Sequence, residues 1–105
     1  MWIFTSSGFV SIVSHKDDPE TMLVRSRKIE PLERLWPEYP VQEIDWADYR
    51  YRIFVPVEGV SSVISDLIME VDYPNFKAAC TDDDEYQSAL ASVWWTMLEY
   101  QRREG

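Results

Sequence analysis

Residues 49–71 read YRYRIFVPVEGVSSVISDLIMEV, and this stretch decides the fold. Its first part, residues 49–57, is rich in Tyr, Ile, Phe and Val, which favour β-strands. Its second part, from about residue 58 to residue 71, has apolar residues at alternating spacings of three and four, which is typical of a helix with one buried stripe. That stripe consists of Val60, Val63, Ile64, Leu67, Ile68 and Val71. A strand that leads directly into an amphipathic helix predicts an α+β fold.

The residues before this stretch predict more strands and one short helix. Strands are expected at 2–5, 9–15 and 21–27, and a further one at 41–45. Pro31 favours the start of a helix after Glu30, because a first-turn proline loses no helical hydrogen bond. Together these elements predict a small antiparallel sheet of about four strands, in two strand–strand–helix units packed on one side by helices.

The end of the chain predicts a long C-terminal helix. Residues 75–80 fit a short helix after Pro74. Thr81, followed three residues later by Asp84, matches a capping box and predicts the start of a helix that runs to about Arg102. Because 105 residues suffice for one hydrophobic core, residues 1–105 are predicted to form a single domain.

Composition and charge exclude several classes of protein. The formal net charge is −9, and most of the excess lies in residues 53–105, which hold three Lys or Arg against ten Asp or Glu. Such a charge opposes direct binding to nucleic acid and to anionic membranes. The single cysteine, Cys80, excludes an internal disulfide. Residues 2–13 are uncharged but too short and polar to span a bilayer, and no signal peptide is recognisable. We therefore predict a cytoplasmic protein.

Four arginines and one histidine are candidate anion ligands: His15, Arg25, Arg27, Arg50 and Arg52. Residues two apart in a strand point to the same side, so each arginine pair is expected to share one face. If both pairs lie on the same side of one sheet, their guanidinium groups can hold a phosphate or carboxylate. The alternative is internal pairing with nearby acids, namely Glu20, Glu43, Asp45 and Asp48.

No catalytic or metal-binding motif accompanies these residues. His15 lies near Asp17 and Asp18, an arrangement that suits a general base, but no nucleophile is marked, and a role in the hairpin turn is the simpler interpretation. The acidic run 82–85 lacks the spacing and glycine of a calcium loop and fits the first turn of a helix. We predict a protein that is not an enzyme, with no metal and no cofactor.

The last predicted helix is unusually rich in aromatic residues. One stripe contains Tyr86, Leu90, Val93, Met97 and Tyr100. Trp94, Trp95 and Leu98 widen that stripe beyond a simple core face, so the helix is either central in the fold or meets another protein. Trp46 is a second candidate on a predicted loop. We predict that a protein interface includes Trp46, Trp94, Trp95 and Leu98.

Several short segments occur together in an order that resembles a family of uncharacterised small proteins from bacteria and their phages. They are residues 2–5, 8–9, 15–19, 23–27, 48–52, 72–77 and 93–94, with Met97. The resemblance covers nearly the whole chain. It implies a complete protein rather than a fragment, and it implies no known activity, cofactor or catalytic residue. A phage-encoded member of this size is expected to act by binding a host component.

Two functions remain open from the sequence. The first is a non-enzymatic protein-interaction module that forms a homodimer or binds a protein partner, with Asp and Glu steering a basic partner or imitating nucleic acid. The second is a module that binds a small anion or nucleotide phosphate, or a weak hydrolase, in which the four arginines clamp the ligand and His15 assists.

Overall fold

The computed structural model describes residues 1–80 and 83–103. These residues group into two compact units, Met1–Val71 and Asp72–Gly105. Each unit has its own secondary structure and is described separately.

The first unit is built on an antiparallel sheet. Its strands are β1 (Trp2–Thr5), β2 (Gly8–Ser14), β3 (Thr21–Ser26), β4 (Gln42–Glu43) and β5 (Tyr51–Pro56). Their order is β1-β2-β3-β5-β4, so β5 lies between β3 and the short edge strand β4. The α+β prediction is confirmed, and the sheet has five strands where about four were expected. Of the predicted strand 41–45, only Gln42 and Glu43 form a strand. The chain turns after Glu43, where the amide of Ala47 donates to the carbonyl of Ile44.

Both helices of this unit pack on one face of the sheet. They are α1 (Glu30–Leu35) and α2 (Val57–Met69). Eight buried residues form the common core: Val10, Ile12, Val24, Leu32, Trp36, Ile53, Val55 and Val60. The strand members of this core alternate along β2, β3 and β5, as one face of a sheet requires. The indole Nε1 of Trp36 donates to the carbonyl of Gly59 over 3.2 Å and ties the end of α1 to the start of α2.

Local hydrogen bonds determine the two hairpin turns. The Thr5 hydroxyl donates to the Gly8 carbonyl over 2.8 Å in the turn between β1 and β2. Between β2 and β3, the carboxylate of Asp18 accepts from the Thr21 hydroxyl at 2.7 Å and from the Glu20 amide at 2.9 Å. These two bonds lower the pKa of Asp18, the Thr21 hydroxyl more than the amide.

The second unit contains two helices, α3 (Phe76–Ala79) and α4 (Asp84–Arg102). Asn75 caps α3 by accepting from the amide of Ala78. The predicted N-cap of the last helix, Thr81, lies outside the described residues, and the described helix begins one residue after Asp83, whose carboxylate accepts from the Tyr86 amide at 3.1 Å. No described helix is both long enough and apolar enough to cross a lipid bilayer.

We expect Gly8→Ala to destabilise the first unit by about 1–3 kcal/mol, because Gly8 has a φ of 132°, where residues with a Cβ are strained. The added Cβ would also overlap the Cγ of Pro31 at the start of α1. Urea unfolding followed by circular dichroism measures the change. Ser6→Ala in the same turn is the control, since Ser6 is exposed, and should shift the free energy of unfolding by less than about 0.5 kcal/mol. Equal stabilities of the Gly8→Ala and wild-type proteins would contradict the prediction.

Candidate functional site

The sheet face opposite α1 and α2 carries arginine, serine and aromatic side chains, and we call it the arginine face. It is formed by Phe9, Ser11, Arg25, Arg52 and Phe54, which alternate with the core residues along their strands. The strand register sets their neighbours, because Ser11 pairs with Arg25 and Arg25 pairs with Arg52. The core thus dictates which polar side chains meet on the other side of the sheet.

Arg25 and Arg52 face each other directly on neighbouring strands. The Nη2 of Arg25 donates to the Ser11 hydroxyl oxygen over 3.1 Å. The Nε atoms of both arginines are buried, and neither has a hydrogen-bond partner among the described residues. In the described part of the chain, no carboxylate oxygen lies within 4.0 Å of either guanidinium group. Like charges in directly opposite positions are unfavourable, so this pair lacks a compensating negative charge.

The other two predicted arginines are paired with acids. The Nη1 of Arg27 donates to the Asp48 carboxylate at 3.1 Å and to the Asp48 carbonyl at 3.0 Å. Arg50 lies 3.2 Å from the carboxylate of Asp45 and 3.8 Å from that of Glu43. The internal pairing considered from the sequence therefore occurs for Arg27 and Arg50. Arg25 and Arg52, in contrast, occupy directly opposite positions on β3 and β5, and Arg25 contacts the same Tyr49 ring as Arg27.

Tyr49 contacts Arg25, Arg27 and Phe9 at the arginine face, a role that the sequence did not indicate. The residue is 5% exposed, and the guanidinium carbons of Arg25 and Arg27 lie 4.6 and 4.5 Å from the ring centroid. The Phe9 ring is 6.4 Å away. Ser11, which is 1% exposed, was also missed. The only sequence clue was an aromatic residue directly before two alternating arginines, and a serine at an outward position of β2.

His15 lies apart from the arginine pair. It is four residues beyond Ser11 along the chain, which is about 13 Å in an extended strand. Its ring contacts that of Phe54 at 5.2 Å, and its Nδ1 accepts from the Asp17 amide at 3.0 Å. This arrangement suits a residue of the hairpin turn. Among residues 1–80 and 83–103, no group of three or more His, Cys, Asp or Glu side chains is arranged to hold a metal ion.

Half of α4 exposes large apolar side chains. Four of them form what we call the α4 surface: Trp94, Trp95, Met97 and Tyr100, which are 49–58% exposed. The two indole rings contact each other edge to face at 5.1 Å, and the Lys77 ammonium lies 4.8 Å from the Trp94 ring.

Leu98, the other predicted interface residue on this helix, is only partly exposed. The predicted interface residue outside this helix, Trp46, is 90% exposed in the turn after β4.

The first half of α4 is packed within its own unit. Leu90 is buried, and burial raises the pKa of the Tyr86 phenol, with smaller contributions from Cys80 and Tyr73. Gln87 donates to the Lys77 carbonyl over 2.9 Å, which holds α3 against α4. The aromatic stripe predicted from the sequence therefore divides into a packed first half and an exposed second half.

We expect Tyr49→Leu to lower the free energy of unfolding by about 1–2 kcal/mol, because two cation–π contacts of about 0.5–1 kcal/mol each are lost. Tyr49→Phe keeps the ring contacts of Arg25 and Arg27, so its stability should stay within about 0.5 kcal/mol of the wild type. Chemical unfolding of the three proteins measures both differences. A similar loss in Tyr49→Phe and Tyr49→Leu would show that the hydroxyl, rather than the ring, is the important group.

The chain was compared with known proteins at the levels of family, sequence and fold. No protein-family model, no curated protein and no solved structure matches it significantly. The resemblance described above therefore remains a prediction, and the function has to be inferred from the geometry of the arginine face and the α4 surface.

Proposed function

We propose that this chain is a non-enzymatic protein-interaction module, and that its α4 surface binds a second copy of the chain. The observation that carries this proposal is the exposure of Trp94, Trp95, Met97 and Tyr100, each about half accessible to solvent, within seven residues of one helix. Large apolar residues clustered in this way are typical of sites where another protein binds. Tryptophan and tyrosine also dominate the binding energy of many protein interfaces.

The charges of α4 favour a second copy as the partner. Asp84 and Glu85 lie in its first turn, and Arg102 and Arg103 lie at its end. In an antiparallel pair of α4 helices, Asp84 and Glu85 of one copy lie beside Arg102 and Arg103 of the other. A two-fold axis makes both contacts equivalent, as in most homodimers. These complementary ends oppose the repulsion between two chains of net charge −9.

The position of the tryptophans also suits an antiparallel pair. α4 has 19 residues and is about 28 Å long. Trp94 and Trp95 lie next to its midpoint, so the tryptophans of both copies come together near the two-fold axis. Burial there would remove apolar surface from water at about 25 cal/mol per Å², which is the main favourable contribution to such an association.

The first test is the molar mass in solution, measured by size-exclusion chromatography with light scattering. We expect a mass about twice the 12.4 kDa of the single chain. The double variant Trp94→Ala/Trp95→Ala should shift the population to monomer and raise the dissociation constant at least about tenfold, since these are the central anchors of the interface. Trp2→Ala is the matched control and should leave the dimer unchanged, because Trp2 is an exposed tryptophan of the first unit and not part of the α4 surface.

A charge exchange tests the antiparallel arrangement. Asp84→Arg/Glu85→Arg and Arg102→Glu/Arg103→Glu should each weaken the dimer, while the combination of all four changes restores it. Circular dichroism confirms that α4 keeps its helicity in each variant. A strictly monomeric wild-type protein would overturn the dimer and leave a different, basic protein as the partner. A dimer that withstands Trp94→Ala/Trp95→Ala would show that the interface lies elsewhere.

A further inference from the structure

We propose that Arg25 and Arg52 form a binding site for an oxyanion, a phosphate or carboxylate group of a small ligand, on the arginine face. This site lies entirely within the unit Met1–Val71 and does not depend on the proposed dimer. The two guanidinium groups come from directly opposite positions of β3 and β5, so one bound anion can contact both.

The first argument is the missing counter-charge. The chain has 19 acidic residues against ten Lys or Arg, so acidic partners are abundant. Arg27 and Arg50 each contact a carboxylate, yet no described carboxylate lies within 4.0 Å of Arg25 or Arg52. Two unpaired arginines in opposite positions destabilise the sheet unless something neutralises them. A bound oxyanion neutralises both charges at once.

The second argument is that the protein holds the Arg25 guanidinium group in place. The Arg25 guanidinium lies 4.6 Å from the centroid of the buried Tyr49 ring and donates to the buried Ser11 hydroxyl. The Nε atoms of Arg25 and Arg52 are buried, while both residues remain partly exposed. Guanidinium groups fixed by packing lose little entropy on binding, and their planar donor sets match the two oxygens of a carboxylate or phosphate.

The third argument concerns the rest of the ligand. Aromatic rings continue from Tyr49 through Phe9 to Phe4 and Trp2, with Phe9 lying 4.7 Å from Phe4 and 5.9 Å from Trp2. Trp2 pairs with Ser11 in the sheet, and its side chain is 69% exposed. An oxyanion joined to a planar ring, as in a mononucleotide, can thus place its charge at the arginines and its ring against Trp2. The net charge of −9 disfavours a long polyanion in the same place.

The test is a thermal-unfolding titration with sodium phosphate, sodium acetate, adenosine and adenosine monophosphate, all at one ionic strength maintained with sodium chloride. A ligand that binds only the folded protein raises its melting temperature. We expect phosphate or acetate to raise it above the chloride reference, and adenosine monophosphate to bind at least about fivefold more tightly than phosphate through its ring. Whichever of phosphate and acetate acts at the lower concentration identifies the preferred oxyanion.

Matched variants locate the site. Arg52→Gln and Arg25→Gln should each raise the apparent dissociation constant about tenfold or more, as expected when a charge-assisted hydrogen bond is lost. Arg50→Gln is the control, because Arg50 is only two residues from Arg52 and is already paired with Asp45 and Glu43. If Arg25→Gln does not fold, Arg52→Lys replaces it as the second test, since lysine keeps the charge but loses the planar donor set.

Three results would overturn the proposal. The first is no stabilisation by any oxyanion beyond that of chloride. The second is an equal loss of binding in Arg50→Gln and Arg52→Gln, which would indicate general screening of charge. The third is unchanged binding in Arg52→Gln. The dimer is a separate question, because anion binding should be unaffected in Trp94→Ala/Trp95→Ala, whose changes lie in the other unit.

Discussion

The burial of Val10, Val24 and Ile53 beneath Leu32 and Trp36 is the constraint on which the first unit depends. All five are nearly inaccessible to solvent. Because side chains alternate between the two faces of a strand, a shift of one residue would exchange the core for the opposite face. The core therefore fixes the register of the three central strands, and the register in turn fixes every contact on the arginine face.

The register that this core imposes places Arg25 directly opposite Arg52, which is an unfavourable pairing of like charges. Exposed arginines usually find an acid or extend into water, as Arg27 and Arg50 do with their acidic neighbours. Arg25 instead lies on Tyr49 and donates to Ser11, and these contacts hold it on the face that it shares with Arg52. An unfavourable local arrangement that the surrounding structure maintains is most common where a protein binds something.

The sequence predicted the elements better than their contacts. The β-forming composition of residues 49–57 and the helical spacing after them identified β5 and α2, because both signals are local in the chain. The pairing partners could not be predicted, since strand order and register depend on contacts distant in sequence. The four arginines look equivalent in the sequence. Only the structure shows that Asp48 pairs with Arg27 and Asp45 with Arg50. Arg25 and Arg52 instead face each other across β3 and β5. Likewise, the apolar stripe of α4 did not show that the first half of the helix is packed within its unit and the second half is exposed to solvent.

The net charge of −9 does not prevent a pair of arginines from attracting a small anion, because charges interact strongly only over short distances in salt solution. At physiological ionic strength, charges farther apart than about 8 Å are largely screened. A small oxyanion at the proposed site would therefore interact chiefly with Arg25 and Arg52, and acids more than about 8 Å away would affect it little. A polyanion that spans several Debye lengths experiences the whole acidic surface and is repelled. At the proposed oxyanion site, the acidic surface would therefore favour small anions over large ones.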